Sequence, residues 1–204
     1  MPGSPRPRRP ARKQPGRYHH GDLSRALVQE AVRTIQARGI QHVTLRAVGD
    51  RLGVSRTALY RHFADKDALL AAVAAEGFRQ LEADTRAAWL QQGASREGLA
   101  AMGTAYVRFA LTHPSHYRVM FGATFDHQSS AELGTAGAAA FQVLVDAIIA
   151  LQEAGLMRTD DPSLLARYIW ATVHGVAMLS IDGRVDAETL TSFVNERILA
   201  GTAP

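Results

Sequence analysis

The sequence predicts an all-α protein in which an N-terminal three-helix helix-turn-helix domain is joined by a long helix to a larger helical C-terminal domain. Three observations predict it. Apolar residues recur at three- and four-residue steps along most of the chain, and no stretch alternates with period two. Gly53 separates two short periodic segments, each preceded by a hydroxyl residue, Thr44 or Ser55, suited to cap a helix. The charge is also split: residues 1–80 hold 15 Lys and Arg against 6 Asp and Glu, whereas residues 81–204 hold 8 against 13.

Residues 1–17 combine Pro, Gly, Ser and Arg without an apolar face and predict a disordered basic arm. The arm has no apolar core segment, and its prolines interrupt any helix, so it does not read as a secretory signal. A first helix is expected from a cap at Asp22, through Leu23, Ala26, Leu27, Ala31 and Ile35, to a stop at Gly39. Thr44 opens a short helix apolar at Leu45, Val48 and Leu52. Ser55 opens a third, from Arg56 to about Phe63. Asp65 caps a long helix carrying Leu69, Leu70, Val73, Phe78 and Leu81 to about Leu90. Further helices are expected over 97–112, 114–121, 131–154, 162–179 and 186–199, with 122–137 as loop or frayed helix. The domains expected are the arm 1–17, a helix-turn-helix unit 18–65 and a helical domain 66–204.

A hydrophobic content of 47% over 204 residues is enough for a packed core and excludes disorder throughout. Cysteine is absent, so there is no disulfide framework and no thiolate metal site, which fits a cytoplasmic location. The longest apolar stretch, around 141–151, is broken by Gln142 and Asp146 and is too short for a bilayer, so a soluble protein with no membrane partner is expected.

The segment Thr44 to Phe63 carries the function. Two helices that cross closely need a small residue before the turn, and Gly49 stands four before Gly53, with Val54 plugging the junction. Leu59 and Phe63 turn inward at i, i+4, leaving Ser55, Arg56, Thr57, Tyr60 and Arg61 outside. These suit double-stranded DNA. Arg56 can make two bonds to guanine, Thr57 can meet a thymine methyl or a phosphate, and Tyr60 can reach a phosphate. Amides at Thr44 and Leu45 can bind a phosphate, and Lys66 would clamp the backbone. The net +9 of the first part against −5 of the second fits one end approaching a polyanion, and equally a basic tail on an ordinary body. A helical hairpin that never touches DNA and a non-specific architectural DNA-binding protein are the other readings.

Tyr18-His-His-Gly-Asp-Leu23, Thr44 to Phe63 and Ala64-Asp-Lys-Asp-Ala-Leu-Leu70 together resemble the N-terminal domain of the TetR family of bacterial transcriptional regulators, over about residues 17–70. The resemblance implies a homodimer with its third helices in the major groove, repression of transcription, and a C-terminal domain whose small-molecule effector releases it from DNA. It implies DNA contacts from Thr44, Arg46, Ser55, Arg56, Thr57, Tyr60, His62 and Lys66. Gly49 departs from the family, where alanine is more usual.

Trp170-Ala-Thr-Val-His-Gly175 resembles the Trp-His-Gly signature of one TetR C-terminal type. Trp170 and His174 share a helix face, beside a ligand cavity or as plain core residues. The resemblance implies dimerisation through the helices near 138–154 and 162–179, whose small and apolar residues suit close packing. The candidate ligand residues are His113, Tyr117, Phe121, Phe125, Trp170, His174 and Met178, an aromatic and thioether surface for a moderately apolar molecule, each also readable as core. His113, His116, Asp126 and His127 could be drawn as a metal site, but their spacing fixes no geometry, so no metal or cofactor is expected. With no nucleophile elbow or phosphate-binding loop, no catalytic residue is expected either.

Overall fold

The computed structural model describes residues 20–122 and 130–204, with side chains from Leu23 onward. The basic arm, Tyr18, His19, Phe125, Asp126 and His127 lie outside the described residues. Within them the chain forms α1 (His20–Arg38), α2 (Leu45–Leu52), α3 (Arg56–Tyr60), α4 (Lys66–Gln92), α5 (Arg96–Thr112), α6 (Pro114–Phe121), α7 (Ala131–Glu153), α8 (Pro162–Ile181) and α9 (Ala187–Gly201), with one 3-10 turn at Ile40–His42.

The caps explain most of these boundaries. Thr44 Oγ1 accepts the Ala47 amide at 3.1 Å, Ser55 Oγ accepts that of Ala58 at 3.2 Å, and Asp65 Oδ1 accepts that of Ala68 at 2.8 Å. Gly39 ends α1 at φ +89°, and Gly53 ends α2 in the left-handed region at φ 65°, ψ 28°. Two expectations are corrected. Helix α1 has already begun at His20, so Asp22 lies inside its first turn and not at the capping position. Helix α3 stops at Tyr60 rather than near Phe63, because the amides of His62 and Phe63 both return to the Leu59 carbonyl and close the last turn.

The head consists of α1, α2, α3 and the start of α4, packed around Leu27, Val48, Leu59, Phe63 and Leu70, all buried. A part-buried ion pair, with Glu30 buried and Arg51 exposed, ties α1 to α2. Arg51 Nη1 donates to Glu30 Oε1 at 2.9 Å, while Arg33 reaches the other carboxylate oxygen at 3.4 Å.

Helix α4 has 27 residues, about 40 Å of rise, and packs on α1 at one end and on α5, α6 and α7 along the rest. Its approach to α6 depends on Gly77, where a Cβ would stand 2.5 Å from Met120 Sδ and 3.2 Å from His116 Cβ. Helix α5 in turn packs on α8 and α9, completing a bundle of six helices. By length and composition alone α7 and α8 could each cross a membrane. Here both pack within the bundle, and α7 carries Gln142, Asp146 and Glu153 on its exposed stripe.

Replacing Arg51 with Met leaves the Glu30 carboxylate buried with only the longer contact to Arg33. The expected loss is about 1–3 kcal/mol, read as a lower urea midpoint. The double replacement Glu30→Leu, Arg51→Met should recover part of that loss, since no charge is then left buried without its partner. Equal losses in the two variants would contradict this account of the α1–α2 junction.

Candidate nucleic-acid interface and interior cavity

The helix-turn-helix is built on one close approach. A Cβ on Gly49 would stand 2.6 Å from Leu59 Cδ1, so the space an alanine methyl would occupy is filled by the leucine. That contact sets α2 against α3, with Val48 and Leu59 buried and Leu52 half-buried at the seam. On the other side of α3, Ser55, Arg56, Thr57, Tyr60 and Arg61 are all exposed, Tyr60 at 57%. Thr44 and Arg46 are exposed beside them at the start of α2, and Arg46 Nε lies 3.7 Å from Asp50 Oδ2. His62 is half-buried. The Lys66 ammonium is engaged locally, since Nζ donates to the Ile40 carbonyl at 3.2 Å and so fastens α4 to the turn before α2. Two of its three donors remain.

A cavity of about 430 Å3 lies inside the C-terminal bundle, lined from all six helices α4 to α9 by residues such as Phe78, Tyr106, Phe121, Phe141, Trp170 and Ile198. The size is that of a small-molecule site. Its wall is largely aromatic: Phe78 meets Phe121 edge-on at 5.4 Å, and Trp170 lies 6.1 Å from both Phe121 and Phe141.

Behind this wall four polar groups converge. Trp170 Nε1 donates to Tyr106 Oη at 3.0 Å. Tyr117 Oη lies 3.0 Å from Tyr106 Oη and 2.7 Å from His174 Nδ1, and Tyr106 Oη is 3.1 Å from the same nitrogen. The two hydroxyls and Nδ1 thus form a closed triangle, in which the tautomer of the imidazole decides whether Nδ1 accepts or donates. Burial sets these ionisations. It pushes the Tyr106 phenol up to about 12, raises Tyr117 further with help from its neighbour, and lowers His174. The cluster is therefore uncharged near neutral pH. His116, on α6, is also held below the usual histidine range by burial, although Glu76 at 3.6 Å opposes the shift.

Of the candidate ligand residues, Phe121 and Trp170 line the cavity, while Tyr117 and His174 stand directly behind it, bonded to Tyr106. His113 and Met178 are not in the lining. His113 turns to Phe109 at the α5–α6 junction, and Met178, one turn past His174, packs on the core. Phe125 lies outside the described residues. Sequence reasoning missed Phe78, Tyr106, Phe141, Arg167 and Asn195, which come from separate helices. One signal was available, because Arg167, Trp170 and His174 share a stripe on α8 at i, i+3, i+7. Among the described residues no group of three His, Asp or Glu could hold a metal ion.

An all-helical fold, with a two-helix unit offering basic and hydroxyl side chains to solvent, is the architecture of a helix-turn-helix protein. The comparisons are more specific. Residues 27–73 match the family described as bacterial regulatory proteins, tetR family, and residues 99–198 match the tetracyclin repressor-like C-terminal domain. The chain is similar to a Rhodococcus sp. RHA1 protein of unknown function, at 31% identity over 93% of this chain and 100% of that one, with a TM-score of 0.83. It shares its fold with the TetR family transcriptional regulator PfmR from Thermus thermophilus, at 19% identity over 85% and 97% of the chains, with a TM-score of 0.68. It is 36% identical over 78 residues to the HTH-type transcriptional regulator BetI of Brucella suis, a match spanning 38% of this chain and 39% of that protein. The chain belongs to the TetR family and is a DNA-binding transcriptional regulator, not an enzyme.

The half-buried imidazole of His174 makes stability depend on pH. Its folded pKa lies below the unfolded value of 6.5, so its contribution is complete above 6.5 and is lost as pH falls from there toward the depressed value. The urea midpoint should drop across that window, and His174→Gln should drop less steeply, with the rest of the slope coming from groups such as His116. Parallel pH profiles for the two proteins would contradict the account of His174 as an imidazole held neutral by its surroundings.

Proposed function

We propose that this chain is a repressor that binds an imperfect palindromic operator as a homodimer, and leaves it when a small, moderately apolar effector occupies the cavity. The observation that carries this reading is the outward face of α3, where Ser55, Arg56, Thr57 and Tyr60 stand exposed on a helix fixed by the Gly49–Leu59 contact. Arg56 reads a guanine edge in the major groove, Thr57 and Tyr60 serve a base methyl or the backbone, and the Thr44 end of α2 meets a phosphate. Arg46 and Lys66 add backbone attraction, with Lys66 limited to the donors that Ile40 leaves. Half-sites then lie one helical turn, about 34–36 Å, or a multiple apart.

The subunit contact is proposed on α8. Leu164, Tyr168, Ala171, Gly175 and Leu179 form an outward stripe, with Leu164 68% exposed and Tyr168 57%. A Cβ on Gly175 would meet nothing within 4 Å, so this stripe offers bare backbone to a partner helix. Helix α7 suits the contact less well than the sequence suggested, because its outward stripe of Ala138, Gln142, Asp146, Ile149 and Glu153 is mostly polar. The Trp-His-Gly likeness enters as a reading of the cavity wall: Trp170 lines the space, and His174 holds the hydroxyls behind it.

Footprinting on DNA flanking the protein's own gene should protect a discrete palindromic site, and failure to protect any site over competitor DNA would overturn the reading. Arg56→Ala should weaken the operator by about tenfold to a hundredfold and random duplex much less. Equal loss on both would remove Arg56 as a base reader. Tyr168→Glu combined with Leu164→Glu should give a monomer of unchanged helicity that no longer binds the full operator, as seen by sedimentation and gel shift. A dimer in that variant would refute the α8 contact.

A further inference from the structure

The polar groups lining the cavity are Thr85, Tyr106, Arg167, Trp170 and Asn195. Four of them have partners within the chain. Thr85 Oγ1 donates to the Leu81 carbonyl at 2.9 Å, the indole of Trp170 donates to Tyr106, and Tyr106 is bonded to Tyr117 and His174. The Asn195 amide donates to the Ala100 carbonyl at 3.0 Å and to Thr104 Oγ1 at 3.2 Å. A ligand gains little by competing with these bonds.

Arg167 is different. It is exposed, it has no ion pair among the described residues, and no Asp or Glu stands with it in the lining. It sits one turn before Trp170 on the cavity stripe of α8, about 4.5 Å along the axis from the aromatic wall. Among the described residues the lining thus combines a broad apolar surface with one positive charge. Its surroundings disfavour a cationic ligand, offer a neutral ligand only apolar contact, and reward an anion at one end. A guanidinium fork matches a carboxylate bidentately.

We propose that the cavity takes an apolar monocarboxylate, with its acid group paired to Arg167 and its hydrocarbon body against Phe78, Phe121, Phe141 and Trp170. This rests on the reading of the cavity as the effector site and names the chemistry that site selects.

Titration calorimetry on the full chain with decanoate, decanamide and decylamine, three head groups on similar alkyl bodies, tests it. Decanoate should bind about tenfold tighter than decanamide, with decylamine weakest. Arg167→Gln should remove that preference and leave decanamide within about twofold, and Arg167→Lys should restore part of it. Ala140→Trp, which fills the cavity, should block acid and amide alike. If the amide or amine matches the acid, or Arg167→Gln leaves decanoate untouched, the carboxylate assignment is wrong, while a block by Ala140→Trp still keeps the cavity as the binding site. Decanoate binding that survives Ala140→Trp, or no binding by any of the three, overturns the cavity reading as well. An Arg167→Gln variant altered in subunit association but not in acid affinity places the guanidinium at the dimer contact and refutes the proposal.

Discussion

Helix α4 is the constraint on which both halves of the molecule depend, because its first turns complete the core of the head and its middle turns form one wall of the cavity. Leu69 and Leu70 are buried at its start, and the Lys66 ammonium fastens that start to the Ile40 carbonyl. Phe78 and Leu81, three turns on, face the cavity. Between them and the head stands Gly77, where α6 comes so close that a side chain would collide with Met120. Close-packed interiors transmit displacement rather than absorb it. Whatever moves α6 against α4 must therefore be accommodated next to the head.

The cavity wall stays apolar because its polar neighbours have settled their hydrogen bonds among themselves. Tyr106, Tyr117, His174 and Trp170 form a closed, neutral cluster, so no buried donor there waits for a ligand. What the described lining still offers is shape, aromatic surface and the charge of Arg167. The head works the other way. Its buried carboxylate, Glu30, is paired to Arg51 for structure, and its exposed cations are left for an external polyanion.

Much of the fold was legible in the sequence, for a local reason. Helix caps, turn glycines and helical periodicity act within four residues, so Thr44, Ser55, Asp65 and Gly53 marked their boundaries correctly. Asp22 misled because a residue that can cap is also tolerated inside a first turn, and Phe63 misled because an inward apolar side chain does not require a continuing helix. The outward face of α3 was legible because burial of Leu59 and Phe63 at i, i+4 dictates what is left outside. The cavity was only half legible. Phe121 and Trp170 were named from aromatic composition, whereas Phe78, Tyr106 and Phe141 meet them only through tertiary packing of helices far apart in sequence, and Arg167 was passed over although it shares a stripe of α8 with Trp170. The outward face of α7 was not legible, because apolar richness does not say which side of a bundle helix is already covered.

The central claim is that two copies of this chain present their α3 helices to one duplex at a fixed separation. The chain contains no cysteine, so a single Ala64→Cys substitution, at an exposed position just beyond the motif, accepts one spin label per subunit. Pulsed dipolar spectroscopy on the labelled protein bound to its protected duplex should give one narrow inter-label distance, set by half-sites one turn or a multiple apart. The absence of any dipolar coupling on that duplex would contradict it.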